Sequence, residues 1–376
     1  DQIMVLLINA FSALATGGAV VAGQFLGQDR REEACKSATQ MVWFITICAI
    51  GITVLVYLGK SFILHTVFGK IDQDVMHHAD IYLLIVAASI PFMALYNGGA
   101  AIFRTMGNSK VTMQISIIMN VINIGGNAIL IYGFHRGTEG VAIPTLVSRM
   151  TAAIIIIALL CDEKRTLHIE RTWRYRINWE MVKKILSIGV PNGLENSMFQ
   201  LGKLAIQSTV SLMGTAAIAA QGMTNIIENL NGIMSIGMGI GLMTVVGECL
   251  GAGEKEEAVY YIKKISIAAE VVLIATCLLM FGLTYPITYF GGMEPESAKL
   301  CIFMVTCITI VKPIVWIMAF IPPYGFRAAG DVRFTMTTSM LCMWFCRVVL
   351  AMVLARVFHM GPIAVWIGMF TDWTIR

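Results

Sequence analysis

The sequence predicts an all-α, polytopic membrane protein made of two six-helix lobes, and three observations predict it. The 376 residues are 57% hydrophobic and only 13% charged, with a mean hydropathy of +0.76. A soluble domain carries about 25% charged residues, so lipid must cover much of this surface. Apolar segments of membrane-spanning length recur along the whole chain. The second half also repeats motifs of the first half at an offset of about 223 residues.

The segments run over 2–27, 38–64, 79–103, 112–134, 140–161, 185–213, 216–249, 265–290, 297–326, 334–358 and 361–376. A helix needs about 20 residues to cross the hydrocarbon core. This gives ten complete spans and one partial span, about 11 helices here. The glycines and prolines within them are compatible with membrane helices.

The repeat is read in two places. Residues 17–34, GGAVVAGQFLGQDRREEA, align without a gap on 241–258, GLMTVVGECLGAGEKEEA, at an offset of 224. Residues 103–113, FRTMGNSKVTM, align on 326–336, FRAAGDVRFTM, at 223. Pro91 and Pro313 fall in step, as do Gly140 and Gly361 within two residues. Both motifs end in loops on the same side, so the copies run parallel, related by an axis along the membrane normal. The span at 185–213 opens the second copy, and its counterpart would precede Asp1. The intact protein is therefore expected to have 12 helices, with a first helix missing here and the last cut short. The N-terminal lobe is read as 1–161, the connector as 162–184 and the C-terminal lobe as 185–376.

Charge sets the orientation. Lys and Arg residues number seventeen in one set of connections and five in the alternate set, which includes Lys70. Cytoplasmic loops carry that excess. The basic connector, with Arg174 among its seven cations, is thus expected in the cytoplasm.

The pattern G-x-x-x-x-x-G-[QE]-x-L-G-x-x-x-x-E-E-A resembles the end of the second helix of each lobe in the multidrug and toxic compound extrusion (MATE) family. F-R-x-x-G-x-x-[KR]-x-T-M resembles the loop after that family's fourth helix, and GVPNGLEN at 189–196 resembles its seventh helix. The resemblance covers the chain apart from the missing first helix. It implies a V-shaped pair of lobes that exports organic cations from the plasma (bacterial inner) membrane in exchange for Na⁺ or H⁺. It also implies a monomer with a small-molecule substrate and surrounding lipid, no cofactor beyond the coupling ion, and no enzymatic step. Two departures weaken a transfer of the ion site. Phe199 stands where many members carry an acid eight residues after the proline, and Lys312 is the polar residue beside Pro313.

Candidate residues follow from the cost of charge inside a bilayer, a few kcal/mol at a helix centre on insertion scales. Glu195 and Lys203 fall near the middle of one span, and Glu228, Lys312 and Arg347 near the middle of three others. Arg149 and Asp372 are also central. Glu195, Lys203, Glu228, Lys312 and Arg347 are expected to form one buried network. Alternatively, Glu195–Lys203 and Glu228–Lys312 are structural ion pairs. Gln200, Gln207, Asn225 and Asn229 add neutral polar groups on the same helices. Asn120, Asn123 and Asn127 share one helix face, turned either to a neighbouring helix or to the central cavity. Gly23, Gly27, Gly247 and Gly251 are read as close helix contacts, and Arg104 and Arg327 as interfacial cations beside a helix C-terminus.

The nine scattered cysteines and six histidines form no metal-ligand spacing, and HExxH and GxSxG are absent, so enzyme chemistry has no carrier. A net charge of +4 gives no call for a nucleic-acid partner. Two transport readings remain beside drug export: flipping a lipid-linked precursor, or exporting anionic metabolites, both of which would use a cationic cavity.

Overall fold

A computed structural model describes residues 2–64, 73–171 and 176–376; Lys70 and Arg174 lie outside them. Eleven helices account for nearly all of the described residues, which contain no strand. They are α1 (Gln2–Gly27), α2 (Arg31–Leu58), α3 (Gln73–Thr105), α4 (Ser109–Gly133), α5 (Glu139–Leu160), α6 (Trp179–Ser211), α7 (Thr215–Gly251), α8 (Lys255–Phe290), α9 (Pro295–Ala328), α10 (Val332–Arg356) and α11 (Ile363–Ile375). Nine of these are long and apolar enough to cross a membrane, and α11 is apolar but shorter. The exception is α6. Its 33 residues suffice in length, but Asn192, Glu195, Asn196, Gln200 and Lys203 make the span expected at 185–213 less apolar than those nine. A polytopic membrane protein with the predicted layout is what these elements describe.

The repeat extends to the backbone at the helix ends. Asp29, Gly107, Gly253 and Gly330 all have positive φ, between 58° and 84°. Each caps its helix with the same pair of bonds. The next residue's N–H reaches five residues back, as from Arg30 to Phe25, Asn108 to Phe103, Glu254 to Cys249 and Asp331 to Phe326. The capping residue's own N–H reaches three back. This is the Schellman arrangement, which needs a left-handed residue that glycine, Asn or Asp supplies cheaply. The α4–α5 and α10–α11 corners also match: His135 and His359 both have φ 50°, and the N–H groups of Arg136 and Met360 donate to Leu130 and Leu354, six residues back. The prolines do not act alike. α3 is interrupted at Ser89, just before Pro91, whereas α9 runs through Pro313 and turns only at Ile321.

The chain divides into two compact units at Val190/Pro191, inside α6, although the lobe boundary was expected at 185. The connector explains the difference, because it packs into the first unit. The Arg31 guanidinium donates to the carbonyls of Glu163, Arg165 and Thr166, the Glu170 N–H donates to Thr39 Oγ1 at 3.2 Å, and Leu167 is fully buried. The start of α6 then crosses α1 backbone to backbone. A Cβ on Gly17 would strike the Ile185 carbonyl oxygen and lie 2.9 Å from the Gly189 nitrogen, and one on Gly189 would lie 3.1 Å from Leu14 Cα.

This crossing corrects the glycine reading. A Cβ on Gly23 would make only an ordinary contact, 3.6 Å from Thr105, and one on Gly247 would meet nothing within 4 Å. Gly27 and Gly251 are the last residues of α1 and α7, two positions before the left-handed caps. Their spacing belongs to a repeated helix end, and the close approach lies at Gly17.

In the second unit the core is shared by α7, α8, α9 and α11. Leu242, Leu273, Trp316 and Trp373 are nearly fully buried there, and Ile227, Met304 and Trp366 form an adjoining cluster. These helices carry Glu228, Lys312, Arg327 and Asp372.

Candidate functional site

Three ion pairs are built inside the second unit. The innermost joins α7 to α9. Lys312 is fully buried, and its Nζ donates to Glu228 Oε1 at 2.7 Å, to the Glu228 carbonyl at 3.0 Å and to Asn231 Oδ1. Glu228, Asn231 and Gly232 follow i, i+3, i+4 spacing, which puts them on one helix face. Gly232 makes room for the ammonium, since a Cβ there would lie 3.0 Å from Nζ. The rings of Trp316 and Trp373 lie 4.9 Å and 6.0 Å from Nζ, within cation–π range.

The second pair joins α10 to α11. Arg347 Nε lies 3.5 Å from Asp372 Oδ2, and Arg376 lies 3.3 Å from Oδ1 of the same carboxylate. Arg347 and Asp372 are both nearly inaccessible to solvent. Two local features bring them together. Cys342–Val349 is wound as a wide π-type stretch, which takes Arg347 out of the ordinary 3.6-residue register. Gly368, one turn before Asp372, lets α11 close on α10, since a Cβ there would sit 2.8 Å from the Arg347 carbonyl.

The third pair is Arg327 to Glu195, 2.9 Å. It borders a cavity of about 140 Å³ lined by Glu195, Asn196, Phe199, Tyr324, Arg327 and Arg376 together with Phe320 and Ser339. The second carboxylate oxygen of Glu195, the Nε of Arg327 and the Nε of Arg376 are buried without hydrogen-bond partners among the described residues. Groups of this kind are uncommon in native interiors, so the cavity wall can bond a polar guest. Phe199 carries three cations around its ring: Lys203 at 5.2 Å, Arg347 at 5.1 Å and Arg376 at 5.7 Å.

Several expected residues are placed differently. The Glu195–Lys203 pair does not form: Glu195 bonds Arg327, while Lys203 is exposed and lies over Phe199. The two are eight residues apart, about 12 Å along the axis, with the Phe199 ring between them. The single network is instead three pairs, with aromatic rings in contact with their cations. Arg327 is not simply an interfacial cation, because its partner is a carboxylate of another helix. Asn225 accepts a bond from Gln221, which accepts one from Trp366. Asn229 and Gln207 are exposed, and Gln200 is partly buried.

In the first unit, Asn123 donates to Thr145 at 3.2 Å and Asn127 to Asn123 at 3.3 Å, so α4 uses them to hold α5; Asn120 is exposed. Arg149 donates to the Ser89 hydroxyl at 2.7 Å, where α3 is interrupted. Arg104 is half-buried at the end of α3. Residues missed from sequence are Asn231, Gln221, Trp316, Trp373, Tyr324 and Arg376. Only Asn231 carried a usable signal, its position three residues after Glu228.

Comparison with known proteins agrees with this architecture. A family model described as MatE matches residues 2–129 and 191–353, one match in each unit. The chain belongs to the MatE family. Curated relatives include the uncharacterized transporter YisQ of Bacillus subtilis, 25% identical over 100% of this chain and 83% of its own length. Another is the probable multidrug resistance protein NorM of Thermotoga maritima, 23% identical over 97% and 78%. An outward-facing multidrug resistance MATE transporter superposes with a TM-score of 0.92 at 17% identity, covering 99% of this chain and 83% of that one. A MATE transporter in complex with MaL6 gives 0.89 at 19%, with 99% and 83% covered. The protein is a transporter of the MATE family and a multi-pass membrane protein.

Proposed function

We propose that the protein is a secondary antiporter that exports small organic molecules by alternating access in exchange for Na⁺ or H⁺, with no cofactor and no covalent step. The observation that carries this reading is the doubling itself: each compact unit contains its own match to the family model, as a parallel-repeat transporter requires. Ionisable groups inside membrane helices are costly and mark ion or substrate pathways. On this reading Glu228 is the coupling carboxylate, and the cavity beside Glu195 receives a polar or ionic group of the cargo. On this reading the basic connector 162–184 lies in the cytoplasm, and the protein acts as a monomer in the bacterial inner membrane with lipid around it.

A second reading is export of anionic or lipid-linked compounds. It draws on one observation: the buried pairs and the Phe199 ring gather five cations, Lys203, Lys312, Arg327, Arg347 and Arg376, against three carboxylates.

Uptake of a fluorescent organic cation into everted vesicles under imposed Na⁺ or H⁺ gradients tests both. Gradient-driven uptake that is lost in Glu228→Gln, at normal protein level, is the expected result. Uptake unchanged in Glu228→Gln removes that residue from coupling. Absence of cation uptake, with gradient-driven uptake of an organic anion, establishes the second reading.

A further inference from the structure

We infer that Lys312 is a tethered cation that fills the metal-cation position of Glu228 and shuts Na⁺ out of it. The inference rests on the reading of the protein as an ion-coupled antiporter, and it decides which ion Glu228 can exchange.

Hard monovalent and divalent cations bind clusters of oxygen atoms, carboxylates and carbonyls foremost. Glu228 Oε1, the Glu228 carbonyl and Asn231 Oδ1 form such a cluster, with all three oxygens converging within 3.0 Å of one point. That point is occupied by the lysine nitrogen. An ammonium has three donors and no acceptor, and here three acceptors meet it, so its hydrogen-bonding capacity is used in full. The fit is shaped on the remaining sides. Gly232 leaves the space a side chain would take, and Trp316 and Trp373 present their rings to the charge. The other two ion pairs lack this completeness: Arg327 Nε, Arg347 Nε and Asp372 Oδ2 each have no hydrogen-bond partner among the described residues. Lys312 is covalently fixed at the site, so its ammonium meets the three oxygens as an intramolecular partner, without an encounter from solution. A sodium ion would have to displace it into an apolar wall at the cost of an unpaired buried charge.

Equilibrium binding of radioactive sodium to the purified protein tests this without reference to transport, so a failure here is distinct from a failure of the antiport reading. The wild type and the neutral double variant Glu228→Gln/Lys312→Met are expected to bind the same number of sodium ions. Lys312→Ala is expected to gain one sodium per chain across the millimolar range, and the gain is expected to disappear in Lys312→Ala/Glu228→Gln. A wild type that binds one sodium more than the neutral double variant overturns the inference, as does a folded Lys312→Ala that gains none. Should Lys312→Ala fail to fold, the comparison of wild type with the neutral double variant decides alone.

Discussion

At the scale of single residues, the second unit keeps charge inside by pairing it, and the three pairs differ in how well they do so. Removing one partner of a buried pair leaves the other desolvated and alone, a loss of about 3–5 kcal/mol, whereas replacing both by apolar or neutral groups is often close to neutral. Lys312→Ala is therefore expected to lower the melting temperature in detergent sharply in sodium-free buffer, and Glu228→Gln/Lys312→Met to restore most of it. Additivity of the two single changes would show that they do not interact. Asp372→Asn is expected to cost about 3 kcal/mol, because Arg347, at 3% exposure, loses the charge that neutralises it; near-wild-type melting would show that Arg376 is not dependent on that carboxylate either. The presence of these charges was legible in the sequence, since a Lys or Glu at the centre of an apolar run is conspicuous. Their partners were not. Arg327 follows an apolar run and reads as an interface residue, yet it turns back to Glu195 on a different helix. Arg347 meets Asp372 where α10 widens at Cys342–Val349 and Gly368 lets α11 close on it, and no periodicity counted at 3.6 residues per turn announces that.

At the scale of helices, membrane packing depends on small residues that let backbones meet, and the structure separates glycines that do this from those that do not. Gly17→Ala is expected to destabilise by about 1–3 kcal/mol, the usual cost of overpacking, because the obstruction is the backbone of α6, which cannot rotate away. Gly247→Ala faces open space and is expected to leave melting within about 0.5 kcal/mol of the parent. Equal effects would place the α1–α6 crossing elsewhere. The helix boundaries and the repeat were legible from apolar runs and shared motifs. The crossing was not, because a glycine that ends a helix and a glycine that admits a neighbour are the same letter. The apolar run of α6 was legible as well, although Glu195 and Lys203 within it make it less apolar than the other long helices.

At the scale of the whole molecule, the fold class and the parallel doubling could be read from sequence because lipid imposes length and apolarity on every span, while the place where the chain divides could not. The connector looked like a solvated linker but carries Leu167 and Ile169, which bury themselves in the first unit. Orientation remains the global expectation most directly open to test. In a variant with its native cysteines replaced, Lys264→Cys is expected to react with a membrane-impermeant maleimide in everted vesicles only, and Lys299→Cys in intact cells only; the reverse pattern inverts the topology. The corners of the two halves repay one more thought. Asp29 and Gly253 differ chemically, as do Asn108 and Asp331, yet the backbone turns identically at each pair, and the two histidine corners match as well. The two halves thus share their bends while the side chains between them differ, and the buried lysine and its carboxylate stand in one copy alone, opposite Ser89 and Met4 of the other. Engineering can follow the same division: the bends are the grammar to leave untouched, and the interior of either copy is vocabulary that can be rewritten.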